Sequence, residues 1–255
     1  MRFDGRVVMI SGAASGFGRL AAERFAQEGA LLSVSDLDAP GLENLREELP
    51  EALFTAIDVA NEDSQAAWVR DTVHRFGKVD IALNNAGVGS PMAPITQTPV
   101  AEFDRMMAVN ARGVFLGMKH QIPALRAGGG GAILNTASAA GVLGAGHLSA
   151  YAAAKHAVVG LTRAVADEVA RYNIRVNAIC PSFASTPLFD EMADQMADAR
   201  GENREAAYAR ISTRVPMRRV AEPEEVVSVI LSICDPANTF MTGQAIGVDG
   251  GLSAI

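Results

Sequence analysis

The sequence predicts a single α/β domain in which helices flank a seven-stranded parallel sheet wound in both directions. Short apolar runs, typical of buried parallel strands, alternate with segments of helical periodicity. A glycine-rich turn, Gly12 to Gly18, separates the first apolar run from the first helix. No linker or repeat interrupts this alternation, so residues 1–255 are expected to form one domain.

The strands are predicted from runs rich in Val, Ile and Leu that end in small or polar residues. They cover residues 7–10, 31–35, 53–57, 80–83, 132–137, 174–180 and 245–248. Helical spacing of apolar residues covers residues 17–28, 62–76, 103–125, 151–172 and 224–234. Gly29 and Gly77 suit helix C-termini, and Pro223 suits a first helical position.

The first strand, the glycine-rich turn and the first helix together predict a phosphate-binding cradle. Its spacing is G-x3-G-x-G, and the helix N-terminus supplies free N–H groups and a favourable dipole. An ordinary tight turn would show the same glycines. Asp36 ends the second strand about 20 positions further on, where a carboxylate accepts hydrogen bonds from an adenosine ribose. It would repel a 2′-phosphate, and neither Ser15 nor Leu37 offers a cation, which favours NAD over NADP.

A candidate acid–base pair lies at Tyr151 and Lys155, four residues apart on one helix face. A neighbouring ammonium favours the phenolate and is expected to lower the pKa of the tyrosine. Ser138 ends the apolar run 132–137, where its hydroxyl could hold a substrate oxygen beside the phenol. A half-buried tyrosine and a solvated lysine would show the same spacing. Asn110, inside a predicted helix, has either a solvated or a functional role.

Residues 182–221 break the alternation and are rich in Met, Ala and charged side chains. Their position after the sixth strand predicts a substrate-covering lid at about 187–215, with a peripheral helical hairpin as the alternative.

Composition excludes several classes of function. The net charge is −7 and no basic cluster occurs, which argues against nucleic acid or an anionic membrane surface as partner. The four histidines and two cysteines form no metal-ligand pattern. No apolar window has the length of a transmembrane helix, and the first residues do not resemble a signal peptide. A cytoplasmic protein is expected.

Over essentially its whole length the chain resembles the short-chain dehydrogenases/reductases, a family with a Rossmann-type fold. The resemblance rests on motifs in the family's order and spacing, namely Gly12/Gly16/Gly18, Asp58, Asn84-Asn85-Ala86-Gly87, Asn110, Ser138, Tyr151, Lys155 and Pro181…Thr186. Ser182 departs from the pattern, because the family usually has glycine after Pro181.

The resemblance implies a role for each matched residue. Tyr151 is the general acid–base, Ser138 orients the substrate oxygen, Lys155 holds the nicotinamide ribose, and Asn110 positions a water that relays protons. The implied cofactor-binding residues are Gly12, Ser15, Gly16, Phe17, Gly18, Asp36, Leu37, Asp58, Val59, Asn85, Ala86, Gly87, Tyr151, Lys155, Pro181 and Thr186. The implied substrate pocket is lined by Ala140, Val142, Leu143, His147, Leu148, Ser182, Phe183, Leu188, Met192 and Met196.

The implied activity is an NAD(H)-dependent interconversion of a secondary alcohol and its ketone, with cyclic alcohols and diols among the candidates. Relatives that only sense nucleotide lose the tyrosine–lysine pair, which this chain keeps. The alternative is a 3-oxoacyl-thioester reductase, which usually takes NADPH and is disfavoured by Asp36. The pocket is mostly apolar, so a compact uncharged substrate is expected. The resemblance also implies a homotetramer.

Overall fold

Seven parallel strands form one sheet in the computed structural model, which describes residues 1–254. They are β1 (Val7–Ser11), β2 (Leu31–Asp36), β3 (Leu53–Ala56), β4 (Ile81–Asn84), β5 (Gly131–Thr136), β6 (Ile174–Pro181) and β7 (Ala245–Val248). Their order in the sheet is β3-β2-β1-β4-β5-β6-β7, and every neighbouring pair is parallel. The chain reverses its direction of winding between β1 and β4, where doubly wound sheets bind ligands at the carboxyl ends of the strands.

Nine α-helices surround this sheet within the described residues. They are α1 (Gly16–Gln27), α2 (Ala39–Glu48), α3 (Glu62–Phe76), α4 (Val100–Met106), α5 (Gly113–Ala127), α6 (Ser149–Val169), α7 (Pro187–Asp198), α8 (Arg204–Ser212) and α9 (Pro223–Cys234). The α1, α2 and α9 helices share one apolar core with the sheet, and α3, α5 and α6 share another.

The central strand shows why the sheet forms two cores. Successive side chains of a strand point to opposite faces, so Val8 and Ile10 enter one core and Met9 enters the other. All three are fully buried. Each such side chain contributes about 1.5–3 kcal/mol on burial. Strands covered on both faces must be apolar throughout, which explains the continuous runs in the sequence.

The structure confirms the fold class and places the seven strands within two residues of the predicted bounds. The predicted helix 103–125 is wrong in detail, because it begins at Val100 and a π-helical segment, Met107–Arg112, interrupts it. The α2 helix was not predicted, since only Leu42 and Leu45 of its residues are buried and the apolar stripe is narrow. Residues 182–221 contain two packed helices, α7 and α8.

None of the helices within residues 1–254 combines the length and the apolar character needed to cross a membrane. Over the same residues, no three His, Cys, Asp or Glu side chains are grouped as metal ligands.

Candidate active site

The glycine-rich turn lies at the carboxyl end of β1, and two of its glycines have a structural requirement. Gly12 has a φ of 69°, and a Cβ there would lie 2.7 Å from the Cα of Ala86. A Cβ on Gly18 would collide with the carbonyl oxygen of Gly12. The glycine turn is therefore packed tightly within itself and against the backbone that follows β4, and its close approach to a pyrophosphate stays a prediction.

The turn is fastened to the end of β4 by side chains. The Oγ of Ser11 accepts hydrogen bonds from the backbone N–H groups of Asn85 and Ala86, at 3.1 and 3.2 Å. The Nδ2 of Asn85 donates to the carbonyl oxygen of Gly12 at 3.1 Å. Ser11, the last residue of β1 and the one before the first glycine, was not singled out from the sequence.

The start of α1 retains the features of an anion site. Ser15 is the N-cap residue, is exposed, and makes no side-chain capping bond. The N–H groups of the first helical turn therefore lack the usual capping partner and can donate to a phosphate. Together with the glycine turn, this geometry fits the pyrophosphate of a dinucleotide.

Asp36 lies beside the turn at the end of β2. Its Oδ2 accepts from the Ala14 N–H at 2.9 Å, and its Oδ1 accepts from the Asp38 N–H at 3.0 Å. An ionised carboxylate has about four acceptor sites, so two remain for ribose hydroxyls. Leu37 is 74% exposed and carries no charge. Asp36 and Leu37 thus lie beside the glycine turn, and their binding of a cofactor stays a prediction.

The residues predicted to border the adenine follow β3. Asp58 is exposed and its Oδ1 accepts from the Ala60 N–H at 2.8 Å. Val59 is only 8% exposed, and its Cγ2 lies 3.0 Å from the position of a Cβ on Gly113. The side chain of Val59 is thus mainly core, which leaves Asp58 as the accessible member of the two.

Ser138, Tyr151 and Lys155 come together, as predicted, between β5 and α6. The Nζ of Lys155 donates to the carbonyl oxygen of Thr136 at 2.9 Å and lies 5.6 Å from the centre of the Tyr151 ring. The Ser138 hydroxyl lies close enough to the Tyr151 phenol to affect its pKa. Lys155 is 3% exposed, so it is not the solvated lysine of the alternative interpretation.

Burial changes the acid–base properties of this pair. It raises the pKa of Tyr151, and the neighbouring Ser138 hydroxyl opposes this only in part. The expected lowering of the tyrosine pKa by Lys155 is therefore wrong for this structure. Burial also lowers the pKa of Lys155, to about 8, which weakens the charge that was expected to act on the phenol.

Asn110 is completely buried, which excludes the solvated role. Its Oδ1 accepts from the Val88 N–H at 2.9 Å and its Nδ2 donates to the Val88 carbonyl at 3.0 Å. A Cβ on Gly87 would lie 2.9 Å from this Oδ1 and 3.4 Å from the Nζ of Lys155. Glycine at 87 therefore keeps Asn110 and Lys155 free of an intervening side chain. The π-helical turn that carries Asn110 is a backbone feature frequent at functional sites.

The predicted pocket residues occupy two loops and the start of α7. Ala140, Leu143, Ser182, Phe183 and Met192 are half-buried, whereas Val142 and Leu188 are exposed apolar side chains. His147 is exposed with a φ of 66°, and its carbonyl oxygen accepts from the Ala93 N–H at 3.0 Å.

Three predicted residues have structural duties as well. Thr186 caps α7 by accepting from the Phe189 N–H, and Pro181 is buried at the end of β6. Met196 packs against the small cluster of alanines between α7 and α8.

Two of the arginines between residues 187 and 215 are already paired. Arg204 forms an ion pair with Asp194 and a longer one of 3.7 Å with Asp190, and Arg210 pairs with Glu202. Neither of these two guanidinium groups is free for a substrate carboxylate.

A family model described as enoyl-(acyl carrier protein) reductase matches residues 12–253. Levodione reductase of Leifsonia aquatica is 39% identical and covers 99% of this chain and 96% of its own length. Cis-4-hydroxycyclohexanecarboxylate dehydrogenase of Sinomonas cyclohexanicum is 37% identical over 99% of this chain and 98% of its own. The 3-oxoacyl-[acyl-carrier-protein] reductase of Thermotoga maritima is 35% identical over 99% of each.

Two solved structures are similar over the same extent. The crystal structure of levodione reductase superimposes with a TM-score of 0.94, at 40% identity and 99% coverage of both chains. The 3-ketoacyl-(acyl-carrier-protein) reductase of Brucella melitensis complexed with NADH has a TM-score of 0.88 and 35% identity. It covers 98% of this chain and 99% of that one.

Proposed function

The chain belongs to the short-chain dehydrogenase/reductase family of oxidoreductases, and from this premise we propose an NAD(H)-dependent interconversion of an uncharged secondary alcohol and its ketone. The observation that carries the proposal is the grouping of half-buried Ser138 and Tyr151 with buried Lys155 beside the glycine cradle. Similarity to levodione reductase and to cis-4-hydroxycyclohexanecarboxylate dehydrogenase favours a cyclic substrate.

Each of these residues has a role toward a particular group of the substrate, the cofactor or a water molecule. Tyr151 gives its phenolic proton to the carbonyl oxygen during reduction, and takes a proton from the hydroxyl during oxidation. Ser138 holds the same oxygen by hydrogen bonding, and Lys155 holds ribose hydroxyls. Asn110 faces Lys155 and holds the water that returns protons to it. When bound, the nicotinamide cofactor donates or accepts the hydride.

The proposed preference for NAD over NADP rests on Asp36. Its carboxylate accepts from ribose hydroxyls and repels a 2′-phosphate, and Leu37 provides no compensating cation. Use of NADH does not by itself exclude the competing function, reduction of a 3-oxoacyl thioester, since the structure of a 3-ketoacyl-(acyl-carrier-protein) reductase is a complex with NADH. Net charge distinguishes the two functions better, because a protein of net charge −7 is repelled by an acidic carrier protein.

Incubation with NADH and a panel of ketones tests the reaction. We expect loss of NADH absorbance with uncharged cyclic ketones and none without ketone. Absence of NADH consumption with every ketone would contradict the proposal.

Alcohol oxidation should accelerate as pH rises. In that direction Tyr151 must be deprotonated, and because burial raises its pKa, the phenolate fraction grows about tenfold per pH unit below that pKa. Ketone reduction uses the neutral phenol and should stay level. Measuring kcat/KM in both directions between pH ~6 and ~8 tests this, below the pKa of Lys155. Oxidation that slows with rising pH would contradict it.

A cytoplasmic homotetramer completes the proposal. Phe103 and Phe115 are 43% and 46% exposed on α4 and α5, and small residues such as Ala153 and Gly160 are exposed on α6. Such faces suit helix packing between subunits. Light scattering at micromolar concentration should give four times the chain mass, and a monomer mass would contradict this. Two free, buried cysteines, Cys180 and Cys234, suit a reducing compartment, which cell fractionation tests.

A further inference from the structure

Four buried polar side chains form a connected group behind the active site, which we call the amide network: Asn84, Gln121, Asn135 and Thr162. Their exposed fractions are 4% for Asn84 and 0% for the others. Asn84 and Gln121 exchange two hydrogen bonds, at 3.1 and 2.9 Å. The Nδ2 of Asn84 also donates to the Oδ1 of Asn135 at 2.9 Å. The Nδ2 of Asn135 donates to the Oγ1 of Thr162 at 3.0 Å.

The amide network joins four elements around the active site, of which α6 carries Tyr151 and Lys155. Asn135 lies on β5 three residues before Ser138, and Thr162 lies on α6 two helical turns after Lys155, on the same face. Gln121 lies on α5, which follows the π-helical turn of Asn110. Asn84 immediately precedes Asn85, which holds the glycine turn.

We propose that the amide network sets the separation of β5 and α6, so that Asn135 and Thr162 are positioning residues for the Ser138–Tyr151 pair. Only one other side-chain bond among the described residues spans this junction near the site, from Lys155 to the Thr136 carbonyl. Backbone hydrogen bonds within a helix or a sheet do not join one to the other, and the hydrophobic effect between them is non-directional. The bond between Asn135 and Thr162 is directional.

The cost of burying these amides supports a positioning role. Buried polar groups are expensive to desolvate, and an apolar core would fill the same volume without that cost. A fully satisfied polar group, in contrast, specifies one arrangement of the elements it joins. Gly117 of α5 contributes, because a Cβ there would lie 2.6 Å from the Oδ1 of Asn84 and would separate α5 from β4.

The test is Thr162→Val, which keeps the shape of the side chain and removes the hydroxyl. A displacement of the order of 1 Å at a reacting group costs up to ~100-fold, so we expect kcat to fall about 10- to 100-fold. The KM for NADH should stay within about twofold, because the cradle is held by Ser11 and Asn85. Thr162→Ser restores the hydroxyl and should restore most of kcat.

Thr72→Val is the matched control. Thr72 is also fully buried, and its Oγ1 bonds the Oγ of Ser33 at 2.7 Å, away from the reacting groups. Both valine variants should lower the melting temperature by several degrees, as the loss of a buried hydrogen bond does. Only Thr162→Val should lower kcat. If its kcat stays within twofold of wild type while the melting temperature falls equally, the proposal is overturned.

The inference rests on the proposed function only for its activity assay. Two further measurements test it in other ways. If the wild type reduces no ketone, the proposed function fails, and crystal structures of the two valine variants decide the inference. A lengthened Ser138–Tyr151 separation in Thr162→Val alone supports it, and an unchanged separation overturns it. If Thr162→Val does not fold, Gln121→Met breaks the same network with volume retained and must lower kcat at unchanged KM for NADH.

Discussion

Tyr151→Phe should reduce ketone turnover by about 10²–10⁴-fold, the usual contribution of a general acid–base group. The substitution removes the phenolic hydroxyl, which lies near Ser138, and keeps the ring that lies beside Lys155. The affinity for NADH should change little, because the phenol transfers a proton and the cradle holds the cofactor. Steady-state rates and NADH fluorescence titration measure the two effects.

Tyr172→Phe is the control for this variant. Tyr172 ends the last turn after α6, where the guanidinium of Arg126 lies 4.0 Å from the centre of its ring. Its hydroxyl has no part in the proposed reaction, so its loss should leave kcat unchanged. Activity close to wild type in Tyr151→Phe would refute the assignment of the catalytic tyrosine.

Asp36→Asn should shift the preference from NAD toward NADP by about 10- to 100-fold in the ratio of kcat/KM. Removal of the charge relieves repulsion of a 2′-phosphate, and juxtaposed like charges cost several kcal/mol. The amide oxygen can still accept from the Ala14 N–H, so the turn should keep its shape. The wild type should prefer NAD.

Asp38→Asn separates this effect from a general change of charge. Asp38 lies two residues further along the same loop and caps α2 by accepting from the Gly41 N–H, which asparagine also does. Its cofactor preference should equal that of the wild type. A wild-type preference for NADP, or an equal shift in both variants, would refute the role of Asp36.

The sequence predicted features well where a single physical requirement determines the type of residue. Apolar runs located the strands, and the spacing of Tyr151 and Lys155 placed them on one face of α6. The π-helical turn around Asn110 was not predictable, because it depends on the bonds of this side chain with Val88 in another loop. The raised pKa of Tyr151 was not predictable either, since the burial that raises it comes from residues distant in sequence.

The amide network shows the same limit. Asn84 was assigned only to the motif at the end of β4, and Asn135 was given no role from the sequence. Nothing in the spacing of Gln121 and Thr162 indicated that they would bond these two amides. A contact between four elements becomes visible only when the sheet order is known.

The most direct test of the proposed function compares kcat/KM for uncharged cyclic ketones with that for 2-oxo acids, 3-oxo acids and a 3-oxoacyl thioester of similar size, all with NADH. Arg204 and Arg210 are paired and the residues proposed to line the pocket are mostly apolar, so we expect cyclic ketones to be reduced most efficiently, with kcat/KM rising as ring or alkyl bulk is added at ~0.8 kcal/mol per buried CH₂. More efficient reduction of the acids or the thioester would contradict the account. Arg200, which has no ion pair within residues 1–254, would then be the first residue to substitute.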